Sequence, residues 1–116
     1  MRRRLLPLAF LAAFAVVPLA GSGTAAAKSC SDFQVNNGYV TNLSVKGVSC
    51  STGKKVAREH YNKRRKRGGW DGKYNGSVRG YSCRETNRNK SSVELNGRVA
   101  CKRGSKRITF FYQSNR

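Results

Sequence analysis

Tyr39-Val-Thr-Asn-Leu-Ser-Val-Lys-Gly-Val-Ser-Cys-Ser-Thr-Gly-Lys-Lys-Val-Ala-Arg-Glu-His-Tyr61 changes period in its middle, and that change decides the fold class. Within Tyr39 to Val48, Leu43 and Val45 alternate with Asn42, Ser44 and Lys46, the two-residue period of a strand with one wet face. From Ser51 the apolar stripe Gly53, Val56, Ala57, His60 and Tyr61 recurs at spacings of three and four, with Lys54, Lys55, Arg58 and Glu59 elsewhere, as on an amphipathic helix. Ser49 or Ser51 can supply the N-cap oxygen. The run Lys63-Arg64-Arg65-Lys66-Arg67 lies where a helix C-terminus favours cations, and Gly68-Gly69 ends the helix. Residues 62–77, rich in Gly and Asn and without periodicity, read as a long exposed basic loop overlapping that end.

The flanking segments are strand-like. Asp32 to Val35 is a short extended piece closed by Asn36-Asn37-Gly38, whose residues tolerate positive φ. Val78 to Glu85 alternates around Tyr81 and Cys83, and Ser92 to Leu95 and Arg98 to Lys102 flank the turn former Asn96-Gly97. Arg107 to Tyr112 follows Arg103-Gly104-Ser105-Lys106. Val99 and Cys101 share one face of their strand, as do Ile108, Phe110 and Tyr112 of theirs. The pattern predicts an α+β domain, one helix packed on a mainly antiparallel sheet of four or five strands. Phe111 alternates away from Phe110 and Tyr112, so either the sheet is covered on both faces or Phe111 is exposed and marks a contact surface.

Ahead of this domain, Arg2, Arg3 and Arg4 precede an apolar run from Leu5 to Ala20 and the small-residue stretch ending Ala25-Ala26-Ala27. A basic head, an apolar middle broken by Pro7 and Pro18 and an Ala-x-Ala site predict a secretory signal peptide over residues 1–27. Residues 28–116 are then a single small secreted domain, expected to be a monomer with no transmembrane span after cleavage. Cys30, Cys50, Cys83 and Cys101 all lie in it, and an even count in a small exported chain reads as two disulfides. Sequential pairing, Cys30 with Cys50 and Cys83 with Cys101, suits two antiparallel strand pairs, and helix-to-sheet pairings stay open.

The formal net charge is +19, and removal of the three leader arginines leaves 21 cations against five acidic groups. Such an excess attracts polyanions: nucleic acid, anionic cell-wall polymer, acidic glycan or an anionic membrane face. No metal or cofactor is assigned, because no Cys-x-x-Cys pair occurs and the single histidine, His60, has no close pair of acidic residues near it in the chain.

Asn42-Leu-Ser-Val-Lys-Gly-Val-Ser-Cys50, Ser51-Thr-Gly-Lys-Lys-Val-Ala57, Val78-Arg-Gly-Tyr-Ser-Cys83 and Val99-Ala-Cys-Lys-Arg-Gly-Ser-Lys-Arg-Ile-Thr-Phe110 together resemble small, basic, cysteine-containing exported proteins of actinobacterial type. Those proteins share a strand ending in Ser-Cys, a helix, a Gly-aromatic-x-Cys strand and a Cys-x-x-Gly hairpin. The resemblance covers roughly three quarters of the mature chain. It implies the fold and export and supplies no catalytic residue. The chain departs from that pattern at Gly53, where Ala is usual, and in residues 62–77. A local likeness of Cys83-Arg-Glu-Thr86 to pancreatic-type ribonucleases is chance, since those enzymes need two histidines.

The expected function is non-enzymatic binding of an extracellular anionic polymer or surface. The candidate residues are Lys63, Arg64, Arg65, Lys66 and Arg67 with Trp70, Lys73 and Tyr74, joined by Arg79 and the hairpin cations Lys102, Arg103, Lys106 and Arg107. One alternative is a small secreted ribonuclease or other hydrolase using His60 with Glu59, Glu85 or Glu94. Another is a cationic membrane-active protein, although the long amphipathic helix such action uses is missing. His60, on the apolar stripe, reads as a packed histidine.

Overall fold

The computed structural model describes residues 26–116, so all of the expected leader except Ala26 and Ala27 lies outside the described residues. The elements are β1 (Lys28–Ser29), β2 (Phe33–Val35), β3 (Gly38–Lys46), α1 (Cys50–Gly68), a 3-10 turn (Gly69–Asp71), β4 (Gly76–Val78), β5 (Tyr81–Lys90), β6 (Glu94–Arg103) and β7 (Lys106–Asn115). The seven strands form one antiparallel sheet in the order β1-β3-β7-β6-β5-β4, with β2 also paired to β3. Helix α1 lies across one face. The fold is α+β as the periodicity requires, with more strands than expected.

Alternation builds the core. Val40, Leu43 and Val45 of β3, Leu95 and Val99 of β6, and Ile108, Phe110 and Tyr112 of β7 meet Val56, Ala57 and Tyr61 of α1, all buried. Ser49 caps the helix, its Oγ accepting the Thr52 N–H at 3.1 Å. Gly53 sits where a Cβ would come within 2.5 Å of Val45 Cγ1, so glycine at this position gives the helix room against β3.

Three expectations are corrected. Residues 62–77 are not a loop throughout: α1 runs to Gly68 and the 3-10 turn follows directly, so the basic run forms the helix's last turns. Val78 to Glu85 is not one strand, because Arg79 and Gly80, at φ 52° and 82°, make a two-residue hairpin between β4 and β5. That pair of positive φ values matches the twist of the flanking strands. Asn96-Gly97 is not a turn. It lies inside β6, where a Cβ on Gly97 would stand 2.8 Å from the Tyr112 ring across the pair, so glycine here makes room for an aromatic.

The disulfides pair sequentially, Cys30 with Cys50 and Cys83 with Cys101. Cys83 and Cys101 are direct cross-strand partners on β5 and β6, while the first bridge ties the segment after β1 to the first residue of α1. The bridges span 20 and 18 residues, loops for which restriction of the unfolded chain stabilises by about 3 kcal/mol each.

Candidate functional site

The helix stripe carries polar groups into the core. His60 and Arg64, one turn apart on α1, are both 0% exposed and face Glu85 of β5 and Tyr112 of β7. Glu85 accepts the Tyr112 hydroxyl at 2.5 Å through one carboxylate oxygen and the Tyr74 N–H at 2.6 Å through the other. His60 Nε2 lies 2.9 Å from the Tyr74 carbonyl and 3.6 Å from Glu85 Oε2. A carbonyl only accepts, so Nε2 carries a proton, and the buried Nδ1, which has no partner, is the unprotonated nitrogen. Burial lowers the His60 pKa below its ordinary 6.5, with Arg64 adding to the effect and the Tyr74 bond and Glu85 opposing it. Burial, then the bond to Glu85, pushes the Tyr112 hydroxyl up to about 12.

Arg64 is a structural anchor. Its Nε donates to the Gly72 carbonyl at 2.9 Å and its Nη2 to the Trp70 carbonyl at 2.6 Å, while the guanidinium packs 4.3 Å from the Tyr112 ring centre and 5.1 Å from that of Tyr61. Gly72 closes this contact: a Cβ there would lie 1.9 Å from the Arg64 carbonyl. A bulge in β5 between Thr86 and Asn89 turns Arg88 to the same side, where it donates to the Asp71 and Gly72 carbonyls and stands 3.6 Å from Glu85. His60 and Glu85 thus come together as the hydrolase alternative requires, but both side chains are fully enclosed, and a substrate meets neither in this structure.

The expected basic run is divided by the helix. Arg64 is removed from the surface, which corrects its assignment as a polyanion contact. Lys63 lies over the Tyr74 ring with its Nζ near the Ser77 carbonyl, and Arg65 donates to Ser114 Oγ. Lys66, Arg67 and Lys73 are exposed. Tyr74, 9% exposed and covered by Lys63 and Arg67, is no free stacking platform, and Trp70 carries Lys90 and Arg116 against its ring. Arg79 pairs with Glu59 at 2.9 Å.

The β6–β7 hairpin keeps its cations outward. Lys102, Arg103, Lys106 and Arg107 are all exposed, and Arg107 donates to the Gly104 and Lys106 carbonyls of its own turn. Arg79, Arg103 and Lys106 converge on a recess of about 420 Å³ that also includes Ser49 and Thr52 at the start of α1. The positive end of the helix and three side-chain cations therefore face one space.

The register exposes a second group that the basic run concealed. On the sheet face away from α1, rows run Lys46–Arg107–Lys102–Ser82, Ser44–Thr109–Ala100–Arg84, Thr41–Phe111–Arg98–Thr86 and Tyr39–Gln113–Asn96–Asn89. Phe111 is 38% and Tyr39 43% exposed, so the sheet is covered on one face only. Among the described residues, ion pairs use His60, Arg79, Arg88 and Lys90, so the five cations of this face have no acidic partner within 4.0 Å. Lys46, Arg84 and Arg98 were not singled out from the sequence, although each alternates with a buried neighbour: Val45, Cys83 and Val99.

Among the described residues no group of His, Cys, Asp and Glu is placed to hold a metal, and no helix is long and apolar enough to cross a membrane. No family model, curated protein or solved structure matches this chain.

Proposed function

We propose that the protein is a secreted, non-enzymatic binder of extracellular polyanions, acting through charge neutralisation and counterion release. The observation that carries this reading is the state of its cations: the hairpin group Lys102, Arg103, Lys106 and Arg107 and the sheet-face group Lys46, Arg84 and Arg98 reach the surface without an acidic partner among the described residues. Opposed cations of one sign repel, and the closed disulfide frame holds them in place for a ligand to neutralise. The two disulfides and the lack of a membrane-spanning helix among the described residues agree with an extracellular setting.

The test is retention of the oxidised protein on an immobilised sulfated glycan and on immobilised single-stranded DNA as salt is raised. Neutralising about six phosphates of the single strand should weaken affinity on the order of a few hundredfold between about 50 and 200 mM salt. Neutralising Lys102, Arg103, Lys106 and Arg107 to Gln should flatten that dependence. Affinity that ignores salt would refute adhesion by charge.

A further inference from the structure

Resting on the polyanion reading, we infer that the sheet face opposite α1 is a platform for single-stranded nucleic acid, with bases stacking on Phe111 and Tyr39 and phosphates held by the cations beside them. The choice of site begins with which aromatic rings are exposed. Tyr74 and Tyr81 are buried and Phe33 and Trp70 half-buried, each with a Lys or Arg of this chain over the ring. Tyr39 and Phe111 are the two exposed aromatic side chains among the described residues. Phe111 has Arg98 over it, with the guanidinium 5.9 Å from the ring centre, and Tyr39 has no such cation among the described residues.

Their placement follows from the register. Phe111 faces Thr41 and Gln113 faces Tyr39, so Tyr39 and Phe111 are diagonal neighbours on adjacent strands, positions whose backbones stand about 7–8 Å apart, which suits one base on each ring. Beside Phe111 toward the hairpin lie the small Ala100 and Thr109, leaving the ring's flank low. Arg98 and Arg84 border that flank, and the row Lys46–Arg107–Lys102 lies four residues along β7, about 14 Å from the ring, a span of a few nucleotides. At the other end, Tyr39 lines a recess of about 360 Å³ with Arg116 and with Gln34, Asn37 and Asn115, whose side-chain amides can donate to and accept from a base edge. A sulfated glycan would use the cations but has no flat π-face for the rings. A duplex hides its base faces and would use only the cations.

The experiment is fluorescence anisotropy with the purified, oxidised protein and three probes of matched charge: labelled oligothymidylate, an oligothymidylate–oligoadenylate duplex of half that length so that the phosphate count is equal, and a heparin oligosaccharide. The single strand should bind about tenfold more tightly than the duplex. Phe111→Ala should remove about tenfold of the single-strand affinity while moving the heparin affinity by less than about twofold. Phe111→Trp should restore it, and Tyr39→Ala should act as Phe111→Ala does. Phe111 is exposed, so a matched thermal midpoint confirms that the variant folds. Equal losses for oligothymidylate and heparin, no loss for either, or tighter binding of the duplex would overturn base stacking and leave charge adhesion standing. Failure of every probe to bind at low salt would overturn the adhesion reading itself.

Discussion

Mild acid should weaken this fold through one residue. His60 is enclosed, neutral and protonated on Nε2 toward the Tyr74 carbonyl, and Nδ1 faces no acceptor that a second proton could reach. Its pKa in the folded protein is lowered by burial, whereas in the unfolded chain it returns to about 6.5. Below that value the unfolded chain binds a proton that the folded chain refuses, so stability is complete above about pH 6.5 and falls as the pH drops below it. If His60 stays neutral in the fold throughout, lowering the pH from about 7 to about 5.5 costs close to 1.3 kcal/mol, from the ratio of unfolded-state protonation at the two values. For a domain of this size that is a fall in Tm of roughly 5–10 °C. The window lies above ordinary carboxylate titration, which isolates the histidine.

The assay is thermal unfolding followed by circular dichroism at several pH values between those limits, with His60→Gln as the comparison. Gln keeps a nitrogen donor near the Tyr74 carbonyl and removes the titrating group. Its Tm is expected to be lower throughout, because the core is disturbed, but flat across the window. A wild-type Tm that is flat, or that falls as steeply as in His60→Gln, would show that His60 is not held neutral by its enclosure.

Further predictions concern packing, alkali and the disulfides. Gly97→Ala forces a methyl against the Tyr112 ring and should destabilise by about 1–3 kcal/mol in urea unfolding; a loss below a few tenths would mean that β6 yields at that point. The Tyr112 hydroxyl is raised to about 12, so the stability it contributes is complete below pH 10 and is lost as the pH rises from 10 to about 12. Ultraviolet titration should show the Tyr112 hydroxyl ionising well above pH 10, and Glu85→Gln should bring that transition down. Removing the Cys83–Cys101 bridge with paired Ala substitutions should cost about 3 kcal/mol, measured against the same protein with the Cys30–Cys50 bridge intact.

Periodicity carried much of the fold in the sequence itself. The stripe Gly53, Val56, Ala57, His60 and Tyr61 is the buried face of α1, and the alternation around Phe110 and Tyr112 orients β7. The same helical spacing reaches Arg64, but a charged residue in a cationic run reads as surface, and only the carbonyls of Trp70 and Gly72 explain its burial. Asn96-Gly97 carries a turn's composition because the glycine that a turn favours is the same glycine that a ring across the sheet requires. The hairpin at Arg79-Gly80 was hidden because arginine seldom adopts positive φ; its guanidinium pairs with Glu59 of α1. Candidate contacts followed the same logic. The run Lys63 to Arg67 drew attention by adjacency, whereas Lys46, Arg84 and Arg98 are far apart in sequence and become neighbours only through strand register.

Amide chemical-shift mapping of the isotope-labelled, oxidised protein titrated with a short heparin oligosaccharide tests the central claim most directly. The account predicts shifts concentrated on the outward-facing positions of β3, β6 and β7 and on the β6–β7 turn, reversed by added salt. Shifts confined to residues 63–67 of α1, or none at low salt, would contradict it.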